Sequence, residues 1–353
     1  MARSPDGQMA RWPDGPITRF IHPMILLTGA TGYLGSEIAR ELITRHEPFR
    51  VLVRDPQRLR FDPAQSHCEV VRGDLCDGAA LGAALAGVEA VIHTAALVKM
   101  WVPDRREFRR INVEGLQDLL EAAAQAGVRR VVYTSSFIAL GPSADVNADE
   151  RLRHNGPYSN EYEETKAEAL AWLRSEGLRR YPVIALFPGV IYGPGPRTEG
   201  NLVGGMIDQY VAGKFPGLLG SGEQRWSFAF NAAVANAHLA ALEKGKPGEE
   251  YLLGGDNRSL NDFFRILGDY THVRRPVRHL PFVAGKLMGA LELARARWSG
   301  RPPQVTPGVV EIFKHDWVYS SAKAIRELNY WVTPLEAGLL KTLEERTPAV
   351  IPR

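Results

Sequence analysis

Met24-Ile-Leu-Leu-Thr-Gly-Ala-Thr-Gly-Tyr-Leu-Gly35 is the stretch that decides the fold. A short apolar run ends in Gly29, Gly32 and Gly35, and the chain continues from Tyr33 to His46 with helical period. Strand, glycine turn and helix in that order suit the pyrophosphate of a dinucleotide. Gly29 lets the chain turn sharply, Gly32 admits the phosphates to the backbone, Gly35 lets helix and strand pack closely, and N–H groups at the helix start attract negative charge. Thr31, Tyr33 and Leu34 complete the candidate cofactor turn.

Working outward, short apolar runs alternate with segments of helical period. Arg50-Val-Leu-Val53, Glu69-Val-Val71, Ala90-Val-Ile-His93 and Arg130-Val-Val-Tyr133 predict strands, while Asp77–Ala86, Asp104–Ala126 and Asn160–Glu176 predict helices. Continuous apolar strands separated by helices are the pattern of a parallel sheet covered on both faces. The expected fold is α/β, a doubly wound parallel (Rossmann) sheet, with residues 182–187 and 251–253 adding a sixth and a seventh strand. After Gly189 the texture turns to Pro/Gly-rich turns mixed with helical segments, which predicts a smaller, interleaved C-terminal substrate domain. The expected division is a tail at 1–23, a dinucleotide-binding domain at 24–190 and 228–255, a substrate-binding domain at 191–227 and 256–345, and a tail at 346–353.

Composition narrows the function classes. With 353 residues, 45% hydrophobic and 24% charged, the chain can bury a sizeable core and is neither disordered, collagenous nor a coiled coil. A formal net charge of +3 is too balanced to imply a nucleic-acid partner. Two cysteines, Cys68 and Cys76, exclude a disulfide framework and suit a reducing compartment. Residues 1–23 hold no apolar stretch of signal-peptide length. The longest apolar helix candidate, Pro281–Trp298, is broken by Lys286, Glu292, Arg295 and Arg297, so no membrane span is expected. A surface-lying helix is the alternative reading of that segment. The expectation is a cytoplasmic protein. The nine histidines show no metal-ligand spacing, and no metal site is expected.

The second strand ends in Val53-Arg54-Asp55, about twenty residues past the glycine turn, where an acid would bond a ribose hydroxyl and a base would pair with a 2′-phosphate. Arg54 favours NADP(H) through bidentate guanidinium–phosphate geometry, with NAD(H) still open. Asp74, in Gly73-Asp74-Leu75 at the end of the third strand, can reach an adenine amino group or cap a helix.

Tyr162 and Lys166 stand four apart on a predicted helix and project from one face. A tyrosine is a poor base near neutrality, but a neighbouring ammonium stabilises its phenolate, which makes the pair a proton donor and acceptor. Thr134-Ser135-Ser136 lies at the carboxyl end of the fifth strand, where ligands bind in an open α/β sheet. A serine there and the Tyr/Lys pair converge on one ligand oxygen.

On these residues the chain resembles the extended short-chain dehydrogenase/reductase family, the NAD-dependent epimerase/dehydratase superfamily. The likeness extends through His93-Thr-Ala-Ala96, Asn112-Val-Glu-Gly115, Tyr133-Thr-Ser-Ser136, Phe187-Pro-Gly-Val-Ile-Tyr-Gly-Pro-Gly195 and Tyr319-Ser-Ser-Ala-Lys-Ala324. It implies that Tyr162 is the acid/base, that Lys166 tunes it and holds the nicotinamide ribose, that Ser136 orients the reacting oxygen, and that Asn112 holds a water in a proton relay. Thr94, Ala95 and Ala96 would line the cofactor, as would Leu75, and the backbone near Pro188 and Ile191 would meet the nicotinamide amide. A homodimer through the helices around 104–126 and Tyr162 is also implied.

Within the family, dehydratases carry an acidic pair where this chain has Phe137 and Ile138. Arg225 resembles the diphosphate-gripping arginine of nucleotide-sugar epimerases. Leu97, Met100 and Trp101, with Phe137, give instead an apolar substrate lining. The resemblance is greatest to the dihydroflavonol 4-reductase-like and farnesol dehydrogenase-like branch. It implies an NAD(P)-dependent oxidoreductase interconverting a hydrophobic secondary or allylic alcohol and its carbonyl. A nucleotide-sugar epimerase with tightly held NAD and a non-catalytic dinucleotide sensor are the alternatives. Phe230-Asn231-Ala232-Ala233 departs from the family's usual His-Val-Asp-Asp, and Asn231 is expected to cap the helix there.

Overall fold

A computed structural model describes residues 24–273 and 277–346. The expected tail at 1–23 and the last residues of the expected tail at 346–353 lie outside them. In chain order the strands are β1 (Ile25–Thr28), β2 (Phe49–Val53), β3 (Cys68–Arg72), β4 (Ala90–His93), β5 (Arg130–Thr134), β6 (Val183–Pro188), β7 (Val190–Tyr192), β8 (Leu218–Leu219), β9 (Arg225–Phe230), β10 (Glu250–Leu253), β11 (Asp256–Ser259) and β12 (His279–Leu280). Seven of them form one parallel sheet, in the order β3-β2-β1-β4-β5-β6-β10. The order reverses between β1 and β4, the switch point outside which such sheets bind ligands.

Why the strands read as continuous apolar runs is visible in β1. Leu26 faces one layer, packed with Leu81, Leu116, Leu120 and Leu170, whereas Ile25 and Leu27 face the other, with Ile38, Leu42, Val234 and Leu239. Both faces are covered by helices, so neither set of alternate side chains can be polar. The helix Tyr33–Thr44 packs beside Asn231–Lys244 on one face, and Gly78–Leu85, Gly115–Gln125 and Glu161–Trp172 lie on the other.

The remaining strands build two small sheets. β7 pairs parallel with β9, and β9 pairs antiparallel with β11; β8 and β12 form a two-stranded parallel pair. β9 runs through residue 228, at which the sequence reading divides the two regions. The last helix, Leu335–Arg346, continues one residue beyond the expected end of the ordered chain. Among the described residues no helix is long and apolar enough to cross a membrane.

Two local features differ from expectation. Asp77, not Asp74, caps the helix Gly78–Leu85, accepting from Ala79 N and Ala80 N, because Asp74 accepts from Cys76 N in the turn before it. Asn231 is the first helical residue, not the cap. Its Oδ1 accepts from Ala232 N at 2.8 Å, while its Nδ2 donates to Pro194 O at 2.6 Å and ties the helix to the β7 loop.

Candidate active site

The glycine turn is held from beneath. Gly29 sits at φ +81, in the left-handed region that favours glycine, and a Cβ there would lie 2.5 Å from Thr94 Oγ1. At Gly35 a Cβ would lie 2.1 Å from Gly29 O, so the helix can approach the turn only without a side chain. Thr94 Oγ1 donates to Thr28 O at 2.8 Å, joining β4 to β1 directly under the turn. The helix Tyr33–Thr44 begins with no side-chain cap. A cradle that any Cβ would fill, facing an uncapped helix start, fits a dinucleotide pyrophosphate. Tyr33 is buried, and its hydroxyl donates to Gly193 O at 2.9 Å, binding the turn to the segment after β7.

At the rim of this cradle Arg54 and Asp74 follow β2 and β3, Arg54 exposed and Asp74 half-buried, with Arg54 Nη1 3.8 Å from Asp74 Oδ2. The neighbouring Asp55 accepts from Gln57 N at 3.1 Å and starts a short 3-10 turn. Leu75 is buried against the core, Ala95 and Ala96 are half-buried beyond β4, and Pro188 and Ile191 lie where β6 passes into β7.

Tyr162 and Lys166 are placed by the helix Glu161–Trp172, whose start is strongly specified. Asn160 accepts from Glu163 N at 2.9 Å, Glu163 Oε2 accepts in return from Ser159 N at 2.7 Å, and acids at 161, 163 and 164 suit the positive helix end. Lys166 is buried, and Nζ donates to Thr134 O at 3.2 Å and to Tyr133 OH at 3.4 Å. Burial lowers its pKa to about 7. Tyr162 is half-buried; burial pushes its phenol up to about 12, against a lowering hydrogen bond from Ser136. The expected lowering of Tyr162 by Lys166 is therefore corrected: desolvation dominates, and Tyr162 is protonated near neutrality. Ser136 Oγ also accepts from Ile138 N at 3.3 Å, while Ser135 N donates to Leu186 O at 2.8 Å at the buried strand end. Of the two serines, Ser136 is the one beside Tyr162.

Asn112 lies in a π-helical stretch, Arg110–Glu114, which joins Arg106–Arg109 to Gly115–Gln125. Its Oδ1 accepts from Leu97 N at 2.8 Å, and its Nδ2 donates to Leu97 O and to Thr165 Oγ1, each at 3.2 Å. With both amide hydrogens used, Asn112 fastens the substrate-side loop to the Tyr162 helix. Only a second lone pair on Oδ1 is left for the expected water.

The expected substrate residues divide. Met100 and Trp101 line a cavity of about 480 Å³ with Val102, Phe108, Leu293 and Pro307, and its wall includes Asn160 and Glu161 at the start of the Tyr162 helix. Phe137 instead packs into an aromatic group, its ring centroid 5.3 Å from that of Trp317 and 5.9 Å from that of Tyr319. Arg225 is fastened by Nη2 to Ala144 O at 2.9 Å and faces Asp316 at 3.8 Å. Leu97 meets Asn112 through its main chain.

Sequence reasoning did not single out Tyr133 or two buried histidines. His93 Nδ1 lies 2.7 Å from Thr28 Oγ1, its ring stacks on Tyr133 at 5.8 Å, and burial lowers its pKa to about 3, aided by Lys166. His238 Nδ1 lies 2.8 Å from Val234 O, a pure acceptor, so Nδ1 carries the proton and Nε2 accepts from Thr134 Oγ1 at 2.8 Å. Burial lowers His238 to about 4. His93 and Tyr133 both stand in quoted motifs, which is the signal that could have found them.

Comparison with known proteins agrees with this geometry. The NAD dependent epimerase/dehydratase family matches residues 25–254. The chain belongs to that family. It is thus an enzyme-family member of the extended short-chain dehydrogenase/reductase type. It is 30% identical over 317 residues to sterol demethylase protein B of Methylococcus capsulatus, covering 89% of this chain and 95% of that one. It is 29% identical over 330 residues to a 3-beta-hydroxysteroid dehydrogenase of Mycolicibacterium neoaurum, covering 87% and 86%. The crystal structure of gox2253 superposes with a TM-score of 0.74 at 34% identity, covering 92% of this chain and 97% of that one. Further solved neighbours of this fold are NAD complexes.

Proposed function

We propose that the protein is an NAD(P)-dependent oxidoreductase that interconverts a hydrophobic secondary or allylic alcohol with its carbonyl. The observation that carries this reading is the adjacency of two things: a Ser136–Tyr162–Lys166 cluster at the carboxyl end of β5, and a cavity at the start of the Tyr162 helix in which Met100, Trp101, Val102, Phe108 and Leu293 form an apolar part beside Arg105, Glu161, Glu164 and Arg297. A bound nicotinamide would supply or accept the hydride. Ser136 orients the substrate oxygen, and Tyr162, protonated near neutrality, gives that oxygen its proton in the reduction direction and takes it back in oxidation. Lys166, held by Thr134 O and Tyr133 OH, stands one helical turn from Tyr162 and holds the ribose. Gly29, Thr31, Gly32, Tyr33, Leu34 and Gly35 hold the pyrophosphate, and Thr94–Ala96, Pro188 and Ile191 flank the nicotinamide half. Arg54, exposed at the rim, supports NADP(H).

Arg225 supports the epimerase alternative less than its position in sequence implies, since Ala144 O and Asp316 already engage its guanidinium. The likeness to a sterol demethylase protein B and a 3-beta-hydroxysteroid dehydrogenase favours a flat, apolar alcohol such as a 3β-hydroxysteroid. The test is nucleotide content and absorbance of the purified protein, titration with NADH and NADPH, then turnover of a 3β-hydroxysteroid and an allylic alcohol beside UDP-glucose. Reversible cofactor binding with turnover of the apolar alcohols is expected. Stoichiometric NAD that resists dialysis, with turnover of the sugar nucleotide alone, would establish the epimerase instead.

A further inference from the structure

The helix Phe282–Ser299 is built inside out. Its 18 residues bury only Gly285, Gly289 and Ala296, small side chains that let it lie close against Leu219, Val310 and Pro307. Its large apolar residues point the other way: Val283 is 79% exposed, Leu287 64%, Met288 45%, Leu291 65% and Trp298 91%. At about 100° per residue these five fall on one arc of the helix surface, with exposed Ala284, Ala290 and Ala294 between them. A helix of a water-surrounded domain ordinarily turns such a stripe inward, and an apolar face of this extent marks an interaction surface.

The charges around the stripe say what covers it. Lys286, whose Nζ also meets Glu311 Oε2 at 2.7 Å, and Arg297 lie along one edge and Arg295 along the other, with Arg301 just past the helix end. The one acid of the helix, Glu292, lies one turn before Arg295 on that same edge and is bonded to it at 2.7 Å. Neither Arg297 nor Arg301 has an acidic partner among the described residues, and Trp298 stands among them at the end of the stripe. We propose that this helix docks the protein on the surface of an anionic lipid bilayer, its apolar stripe in the acyl boundary and its flanking cations among the headgroups. A second copy of the chain fits the face poorly. Antiparallel pairing about the middle of the stripe brings the edge that carries Lys286 and Arg297 against the same edge of the other copy, and like charges meet.

The placement also has a use. Leu293, Ala296, Arg297 and Gly300, on or just past this helix, line the cavity that Met100 and Trp101 share, so the docked face and the cavity are two sides of one element. A substrate that partitions into lipid would then be met where it is concentrated. The docking itself rests on residues outside the Ser136–Tyr162–Lys166 cluster and is read without any substrate, so its failure and that of the alcohol reading are separate outcomes.

The experiment is flotation of the full chain with phosphatidylcholine vesicles, with and without phosphatidylglycerol, at low and high salt. Flotation with the anionic vesicles, weakened by salt and lost at least tenfold in Leu287→Glu/Leu291→Glu, is the expected result. That variant should bind NAD(P)H as the native chain does, which shows it folded. Bromine-labelled lipid should quench tryptophan fluorescence of the native protein and do so less in Trp298→Phe. No flotation of the native chain, or undiminished flotation of the double variant, overturns the proposal. So does a native dimer that the double variant converts to monomer without any vesicle binding, since the face would then join two copies.

Discussion

The β1 turn and the wall of the cavity at the start of the Tyr162 helix are specified in opposite ways. Around Gly29 the structure is set by backbone: a left-handed φ, a Gly35 that admits no Cβ and a helix start with no side-chain cap. Around Met100 and Trp101 it is set by side chains from four separate segments, at 100–108, 158–164, 293–300 and 306–308. A backbone cradle reads a phosphate group that every dinucleotide carries. A wall of mixed apolar and charged side chains reads shape and charge, and can change its ligand by changing a residue. The contrast explains why the family is plain in the chain while the substrate is a proposal.

The largest expected effect separates chemistry from both regions. Tyr162→Phe should lower kcat by about 10²- to 10⁴-fold and leave NAD(P)H affinity within about twofold, because the lost hydroxyl serves only the reacting oxygen. Undiminished turnover would remove Tyr162 as the proton donor. Next comes the cradle: Gly35→Val places its side chain against Gly29 O and should cost about 1 to 3 kcal/mol or more of stability, with loss of cofactor binding, measured by denaturant unfolding and cofactor titration. Trp101→Ala, by contrast, should raise KM for an apolar alcohol and leave cofactor binding alone. If both variants lost cofactor equally, the division between backbone cradle and side-chain wall would fail.

A fourth prediction sharpens the view of the sheet beneath the site. His238 has its folded pKa lowered to about 4, so it stays neutral in the folded chain while the unfolded chain takes up a proton below about 6.5. Its contribution is full above pH 6.5 and is lost as pH falls toward 4. His238→Gln should therefore lose less stability than the native chain between pH 7 and pH 5, by about 1 to 2 kcal/mol at one proton of difference, in urea unfolding at the two pH values. Identical pH slopes would mean that Thr134 and Val234 do not hold a neutral ring.

What the sequence made legible follows the same division. The glycine turn, the alternation of strands and helices and the four-residue spacing of Tyr162 and Lys166 are local patterns, and each stands as expected in the structure. Contacts made across the fold left no such trace. Lys166 meets Tyr133 from 33 residues away through the packing of its helix against β5, and Thr28 meets His93 from 65 through the β1–β4 register. The use of Asn112 on Leu97 depends on a π-helical turn that no periodicity announces. Burial reversed the expected direction at Tyr162, because the spacing of a Tyr/Lys pair carries no information about how deeply the phenol is enclosed.

The smallest effect tests the cradle at its rim, where backbone gives way to a side chain. Arg54 is exposed and, among the described residues, pairs with Asp74 at 3.8 Å, so its guanidinium is placed to turn outward to a 2′-phosphate. Asp55, the nearest acid on β2's end, is engaged by Gln57 N and holds its own turn. Arg54→Ala should then weaken NADPH binding about tenfold, near 1.4 kcal/mol, and NADH binding by less than about threefold, read from fluorescence titration of both reduced cofactors. Equal losses would mean that Arg54 stacks on the adenine or serves the whole dinucleotide, and the preference for NADP(H) would fall while the glycine cradle stood. A gain in NADH affinity would go further: it would show that Arg54 holds Asp74 away from an adenine amino group that this carboxylate can otherwise reach, and that the rim selects the cofactor by a balance between the two charges.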